Sequence, residues 1–239
     1  MRRQIIFISL LVLFLGLTVW ITSLGKVGIY DTFTAREVLR STRAHLRMVL
    51  IAEGIAIAIG VPVGMLVTRD TFRRLATPVI GTANVGQTIP SLAVIAIMAP
   101  LLGFGLQSAI VALFIYGLLP VLRNSVTAFN NINPAIIEAA RGMGMSRYGI
   151  ARRIEFPLAL PVIMAGIRVS TVITVGTAEL AVLVGGAGLG RITLTGVFSR
   201  QVLLILQGAA PTAALAITLG FLLERLEWWM TPRGLKVGS

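Results

Sequence analysis

Six long runs of apolar residues dominate this chain, and the short segments between them hold most of its charges. The runs cover approximately residues 5–21, 48–68, 75–98, 106–122, 158–184 and 202–223. Each is close to the roughly 20 residues that an α-helix needs to cross a hydrocarbon core of about 30 Å. The runs therefore predict an all-α, polytopic membrane protein with six transmembrane helices.

Composition excludes several other classes of protein. Charged residues make up 13% of the chain, against about 25% in an average globular protein, and the mean hydropathy is +0.91. The chain has no cysteine, so disulfide and thiol chemistry are excluded. A single histidine, His45, argues against a metal site, and we expect it at the membrane interface. The net charge of +12 comes from basic residues in the short segments between apolar runs. That placement indicates contact with anionic lipid rather than nucleic acid.

The first apolar run is either a signal peptide or an uncleaved first helix. Residues 21–25 make a poor cleavage site, so we expect an uncleaved helix. With the N-terminus inside, the inner segments carry more basic residues than the outer ones, which favours cytoplasmic N- and C-termini. The outer segment 26–47 fits least well, because it contains five basic residues: Lys26, Arg36, Arg40, Arg43 and Arg47. We expect Thr34 to cap a short interfacial helix, 35–47.

The polar segment after the fourth run begins with the signals of a short helix. Asn133 is a suitable N-cap, and Pro134 is a suitable first residue for a helix that continues through Ala140. Gly142 and Gly144 follow, and glycine lets a chain bend without a steric penalty. The segment therefore predicts a helix followed by a turn.

A second short helix is predicted after that turn. Ser146 can cap it, we expect it to end at Arg153, and Pro157 starts the next apolar run. The segment is also strongly basic, with four arginines: Arg141, Arg147, Arg152 and Arg153. A basic helix-turn-helix between two membrane spans is shaped to dock on a partner outside the membrane.

These residues resemble a known motif. The order Glu138-Ala139-Ala140, Gly144 and Ile154-x-Phe156-Pro157 is similar to the cytoplasmic EAA loop of ABC-importer permeases, with Phe156 in place of leucine. Three further runs resemble the osmoprotectant permeases, whose cargo is glycine betaine, choline or carnitine: residues 87–93, 116–124 and 157–168. The resemblance spans roughly residues 46–223. It implies a type I ABC importer permease fold in the bacterial plasma membrane, with a five-helix core behind an extra first helix.

The resemblance also implies partners. It assigns coupling to an ATPase to one group of residues: Glu138, Ala139, Ala140, Gly142, Met143, Gly144, Ser146 and Arg147. One chain supplies half of a path, so a second copy or a related permease is expected, with an external binding protein to deliver the substrate. Neither lysine, Lys26 or Lys236, lies in a P-loop pattern. ATP and Mg²⁺ are therefore expected on a separate ATPase subunit, and no cofactor on this chain.

Polar residues recur along one face of the third run. This stripe comprises Asn84, Gln87, Thr88 and Ser91, and Pro90 frees the carbonyl of Gly86. Polar side chains that face lipid are costly, so we predict that the stripe faces protein or an aqueous translocation path. Hydrogen bonding between helices is the alternative explanation.

The fifth run holds two charges, Arg168 and Glu179, with Thr171 on the same stripe. Eleven residues of helix separate the charges by about 16 Å, which is too far for an ion pair. Each charge needs water, a headgroup or a partner on another helix, and we place all three residues on the translocation path. Glu179 either attracts a cationic substrate or reaches the interface. Glu53, near the outer end of the second run, is expected to be interfacial.

The glycine-rich stretch Gly185–Gly190 lacks the spacing of a dinucleotide fingerprint. A tight turn at a membrane exit explains it, and a flexible part of an outer gate is the alternative that the resemblance suggests. Neither explanation involves a cofactor.

The chain divides into three parts on this evidence. Residues 1–47 form the first helix and an outer polar segment, 48–223 the permease core with a cytoplasmic loop at 123–157, and 224–239 a short tail. Two rival functions remain: an ABC permease for an amino acid or another small cation, and a secondary transporter that uses Arg168 and Glu179 as a charge relay. Secondary transporters often have broken helices in both halves, and only one break, at Pro90, is evident.

Overall fold

The computed structural model describes the backbone of residues 2–26, 33–69 and 71–231, and most of their side chains. Within these ranges the chain is helical and contains no strand. Its α-helices are α1 (Arg2–Lys26), α2 (Ala35–Val67), α3 (Ala76–Thr88), α4 (Ser91–Leu102), α5 (Leu106–Asn130), α6 (Pro134–Gly142), α7 (Arg147–Ile150), α8 (Phe156–Thr177), α9 (Gly190–Ser199) and α10 (Val202–Met230). Short 3₁₀-helices cover Arg73–Leu75 and Leu180–Val184, and a π-helical segment covers Ala151–Glu155.

Among the described residues, four helices are long and apolar enough to cross a membrane. They are α2, α5, the continuous helix formed by α7 and α8, and α10. A fifth crossing is a pair of helices, α3 and α4, bent by 98° at a short break. Within α1, Phe7–Ser23 forms a shorter apolar helix. The all-α membrane class is confirmed. In place of the six predicted spans, the described residues form four single helices, one bent pair and the shorter apolar helix in α1.

The expected interfacial helix at 35–47 is wrong as a separate element. Thr34 does cap a helix, and it forms a capping box in which Thr34 N–H donates to Glu37 Oε2 at 2.8 Å. That helix is α2, which continues to Val67; no glycine or proline lies between Ala35 and Glu53 to end it near residue 47. The boundary that we placed at residue 47 therefore falls inside a helix, and residues 27–32 lie outside the described ranges.

Several helices extend beyond the apolar runs. We expected the fourth span to end near residue 122 and the sixth near residue 223, but α5 continues to Asn130 and α10 to Met230. The predicted stop at Arg153 is also wrong, because α7 passes through the π-helical segment directly into α8. Pro157 has no N–H to donate, and a π turn accommodates the interrupted bonding pattern. The fifth span ends as an α-helix at Thr177 rather than at 184.

Helix α5 lies at the centre of the bundle and packs against α2 on one side and α8 on the other. Two glycines set these close approaches. A Cβ added to Gly64 of α2 would lie 2.5 Å from Ser125 Cβ, and one added to Gly166 of α8 would lie 2.5 Å from Asn124 Cβ. Small residues at helix contacts let backbones approach closely in membranes, where the hydrophobic effect does not drive helices together. Helix α10 packs on the other face of α8 and carries α1 and α9.

Candidate functional site

The loop between α5 and α7, residues 131–146, contains α6 and is called the α6 loop below. Asn133 caps α6 as predicted, since its Oδ1 accepts a hydrogen bond from Ala135 N–H at 3.0 Å, and Pro134 is in the first turn. Glu138 and Ala139 are exposed, whereas Ala140 is 1% exposed. The Glu-Ala-Ala triplet thus anchors α6 through its last alanine and presents its carboxylate outward.

The turn after α6 depends on one of the two glycines. Gly144 has a φ of +77°, in the left-handed region that glycine adopts without strain, while Gly142 stays helical. Met145 N–H donates to Ala140 C=O at 3.1 Å and closes the helix end. Ser146 Oγ then accepts from Gly149 N–H at 3.1 Å, so the predicted second cap is present. This turn presents Met143 and Arg147 on the surface.

A cleft of about 510 Å³ lies beside this turn. Its lining residues are Met145, Ser146, Tyr148, Gly149, Arg152 and Arg153. Met143 and Tyr148 are 73% and 72% exposed, which is unusual for large apolar side chains beside a cleft. Exposed Met and Tyr next to arginine is the composition that protein–protein interfaces favour at their centres.

An ion pair ties the π-helical segment to the end of α2. Arg69 and Glu155 form a bidentate contact, in which Arg69 Nη1 donates to Glu155 Oε1 at 2.8 Å and Nη2 pairs with Oε2. The Glu155 side chain is 5% exposed and that of Arg69 37% exposed. Forked pairs of this kind add geometric specificity as well as energy. Neither residue was assigned a role from the sequence.

The predicted polar stripe of the third run lies at the bend between α3 and α4. Asn84 and Thr88 are exposed in this chain, and Ser91 is partly buried. The side chain of Gln87 lies outside the described residues. Contacts within this chain therefore do not bury the stripe.

The break itself is sharper than a proline kink. Helix α3 ends at Thr88, Ile89 is extended with φ −76° and ψ 126°, and α4 begins after Pro90. A residue that precedes proline avoids the helical region, which explains the extended Ile89. The Tyr116 hydroxyl on α5 donates to the Ile89 carbonyl and satisfies it. The backbone at the break is thus tied to α5 through the Ile89 carbonyl.

The charges of the fifth span find partners on α10 rather than each other. Arg168 Nη1 lies 3.9 Å from Glu224 Oε2 and 3.6 Å from Glu227 Oε2. At the far end, beyond α8, Thr212 donates to Glu179 Oε1. Thr171 is buried and donates to Ile167 C=O at 2.8 Å, within its own helix. Of the three alternatives offered for each charge, a partner on another helix is therefore the one present within this chain.

Glu53 is buried rather than interfacial, which corrects the expectation for this residue. It is 4% exposed, and its Oε2 accepts hydrogen bonds from Ser170 at 3.0 Å and Thr174 at 3.2 Å. Ser170 also lies 2.7 Å from the Gly117 carbonyl, so α2, α5 and α8 meet at one polar cluster. A glutamate within a long apolar helix was the signal that could have revealed this cluster, since such residues face the bundle interior.

His45 is also buried, not interfacial. It is fully buried, Leu189 N–H donates to its Nδ1 at 3.3 Å, and its Nε2 lies 3.0 Å from Val175 C=O. These partners define a neutral ring that carries its proton on Nε2. His45 thereby fixes the turn that contains Leu189. The glycine-rich stretch is such a turn, with Gly185 at φ +86°, and it leads into α9.

Comparison with known proteins gives a consistent result. The family model described as "Binding-protein-dependent transport system inner membrane component" matches residues 60–234. The chain is 42% identical over 200 residues to the osmoprotectant import permease protein OsmW of Salmonella typhimurium, covering 82% of this chain and 92% of OsmW. It is 44% identical over 200 residues to the glycine betaine/carnitine/choline transport system permease protein OpuCB of Bacillus subtilis, covering 84% and 91%.

Solved structures share the fold. One chain of the MetNI methionine ABC transporter, determined in inward-facing conformations, has a TM-score of 0.72 at 24% identity and covers 83% of this chain and 98% of its own length. A chain of an amino acid ABC transporter with histidines has a TM-score of 0.66 at 17% identity, covering 81% and 94%. The type I ABC importer permease fold is thereby confirmed.

Proposed function

Because this chain belongs to the family of binding-protein-dependent transport system inner membrane components, we propose that it moves small quaternary-ammonium osmoprotectants through an ATP-driven importer. The observation that carries the proposal is the set of curated relatives, 36–44% identical over most of this chain, whose names specify osmoprotectant, glycine betaine, choline or carnitine transport. The chain covers 91–94% of these relatives, so the likeness extends over the whole permease.

The α6 loop is the surface that docks on the ATPase. Its support is geometric: both short helices are capped, Glu138 points outward, and the adjacent cleft is flanked by exposed Met143 and Tyr148. The Arg69–Glu155 pair carries movement of this loop to α2, while the continuous helix Arg147–Thr177 carries it to the centre of the bundle. ATP and Mg²⁺ belong to the ATPase in this scheme.

A second permease chain completes the translocation path. The stripe with Asn84 and Ser91, which this chain leaves unburied, is the face that a second copy or a related permease covers around a two-fold axis. An external binding protein delivers the cargo, and the excess of basic residues in the inner segments supports cytoplasmic termini. Arg168 and Thr171 on α8, and Glu179 just beyond its end, are the other residues of this path.

An amino-acid importer is the second candidate, because the two solved relatives are amino acid transporters by their titles. The relatives with higher identity favour quaternary amines instead. The secondary-transporter alternative loses its support, since Arg168 pairs with Glu224 and Glu227 rather than forming a relay with Glu179.

The test is uptake into vesicles that contain the reconstituted complex with its binding protein. Labelled glycine betaine, choline and methionine are compared at equal concentration, with and without internal ATP. We expect ATP-dependent uptake of at least one quaternary amine and none of methionine. Uptake of methionine alone would overturn the cargo and leave the importer intact, and uptake that is independent of ATP would overturn the importer.

A further inference from the structure

A cavity of about 310 Å³ lies at the end of α8 that is remote from the α6 loop. Its walls come from α8, the 3₁₀-helix Leu180–Val184, α9 and α10. The size falls at the lower end of the range for small-molecule sites, which is roughly 300–1,000 Å³. Helix α8 is about 30 Å long, so the cavity and the α6 loop lie near opposite sides of a bilayer.

Glu179 supplies the charge of this cavity. Its Oε1 accepts the Thr212 hydroxyl, while its Oε2 is buried and has no hydrogen-bond partner among the described residues. No described Lys, Arg or His nitrogen lies within 4.0 Å of this carboxylate. A buried carboxylate oxygen without a partner is costly, and a cation in the cavity would offset that cost.

The rest of the lining is mainly apolar. Val172, Leu180, Leu194 and Ala213 contribute side chains to it, and Thr193 and Thr212 are the other polar residues. A primary ammonium group has three N–H donors, and this lining meets them with one free carboxylate oxygen and two threonine hydroxyls in an otherwise apolar wall. A quaternary ammonium has no donor, so it needs apolar contact around its methyl groups and one opposite charge. The cavity suits the second kind of cation.

The walls of the cavity are held by close backbone contacts. A Cβ added to Gly190 of α9 would overlap the Glu179 carbonyl oxygen, and one added to Gly208 of α10 would overlap Thr193. Since α9 touches the backbone at Glu179 and α10 touches α9 through these glycines, the cavity exists before any ligand enters. A preformed site loses less free energy to ordering when it binds.

We infer that the Glu179 cavity holds the trimethylammonium group of a cargo molecule in transit through the half of the bundle remote from the ATPase. The inference rests on the proposed function and adds to it a site and a charge preference. None of the described lining residues is aromatic, so binding is weaker than in an aromatic cage. Weak binding suits a station on a path, because the cargo must leave it again.

Choline and glycine betaine provide the test, because they share a trimethylammonium group but differ in net charge. Glu179→Gln keeps the shape and the Thr212 contact but removes the charge. Choline carries a full positive charge, whereas the carboxylate of glycine betaine is repelled by Glu179. The variant complex is reconstituted in phosphatidylglycerol vesicles. We expect its ratio of choline uptake to glycine betaine uptake to be about tenfold lower than that of the wild type. A purely structural role would lower both rates equally, and an unchanged ratio would overturn the inference.

Glu37→Gln is the matched control, because glutamine preserves the capping box at Thr34 while one carboxylate is lost. Its uptake ratio should equal that of the wild type, and an equal fall would show a general charge effect. A trimethylammonium group can also come from a lipid, so the assay is repeated with phosphatidylcholine added. Inhibition of wild-type uptake that disappears in Glu179→Gln would assign the site to lipid headgroups and overturn its role in transit. If wild-type vesicles import neither quaternary amine, the proposed function fails instead.

Discussion

The α6 loop and the interior of the bundle use polar residues in opposite ways. In the loop, Asn133 and Ser146 bond to backbone groups two and three residues away, and Glu138 remains exposed. In the bundle, Glu53 and His45 are buried and bond to residues 117 and 130 positions away. The polar caps of the loop are therefore local, whereas the buried polar groups of the bundle bond across its helices.

This difference suits the loop to docking on a partner and the bundle to moving as a rigid body. A loop whose helix ends are capped locally keeps its shape while its exposed side chains contact a partner. A bundle whose buried polar groups bond across helices moves as one body, because each unsatisfied group would be costly in an apolar interior. The Arg69–Glu155 pair lies where the helix that leaves the α6 loop enters the bundle, and it ties that helix to the end of α2.

The largest effect should come from breaking that joint. Arg69→Ala leaves Glu155, 5% exposed, without its bidentate partner. We expect a loss of about 2 kcal/mol in the free energy of unfolding, below the range for fully buried pairs because the Arg69 side chain is 37% exposed. Uptake should fall more than the amount of protein in the membrane, and ATPase assays on the complex should show hydrolysis without transport. Arg69→Ala with Glu155→Gln should recover stability but not coupling, and recovery of both would contradict the joint.

Substitutions of Glu53 and Glu138 test whether the bundle and the α6 loop differ in this way. Glu53→Ala removes a buried acceptor and opens a cavity, so we expect a loss of about 2 kcal/mol and a lower Tm in detergent. Glu138→Ala removes an exposed carboxylate, so Tm should stay within about 1 °C while ATP-driven uptake falls about tenfold. Glu53→Gln is the shape-matched control and should retain most of the stability. Equal changes in Tm for the two alanine variants would contradict the comparison.

Glycines of the α6 loop offer a smaller and more local test. Gly144→Val forces a β-branched residue to φ +77°, which costs about 1–3 kcal/mol locally although no atom lies within 4 Å of the added Cβ. We expect reduced uptake with normal membrane levels, measured by immunoblot and vesicle transport. Gly142→Ala is the matched control, because that residue is helical and also has open space around it. A loss of uptake in Gly142→Ala as large as in Gly144→Val would contradict the role of the left-handed turn.

The same contrast explains which features could be predicted from sequence. The caps at Asn133, Ser146 and Thr34 were correct, because each depends on residues two or three positions away. Helix ends were misplaced where polar residues follow an apolar run, since backbone hydrogen bonding continues regardless of side-chain polarity. The cluster at Glu53 and the pair with Arg69 could not be predicted, because their partners are 117 and 86 positions away. Such distances become contacts only through the packing of α2 against α5 and α8.

The smallest expected effect concerns the polar stripe of α3 and α4. This stripe adds a third region to the comparison. Because the wild-type chain has no cysteine, single cysteines at Asn84 and Ser91 can be labelled without background. If the stripe lines an aqueous path between two permease chains, both cysteines should react with a membrane-impermeant maleimide in the assembled complex, with little change in uptake. Val12→Cys on α1, an exposed apolar position, is the control that lipid should protect. Equal labelling at all three positions would show only that the reagent reaches every exposed position. If positions 84 and 91 are not labelled, with or without ATP, the stripe lies in a dry contact between helices instead of on the translocation path.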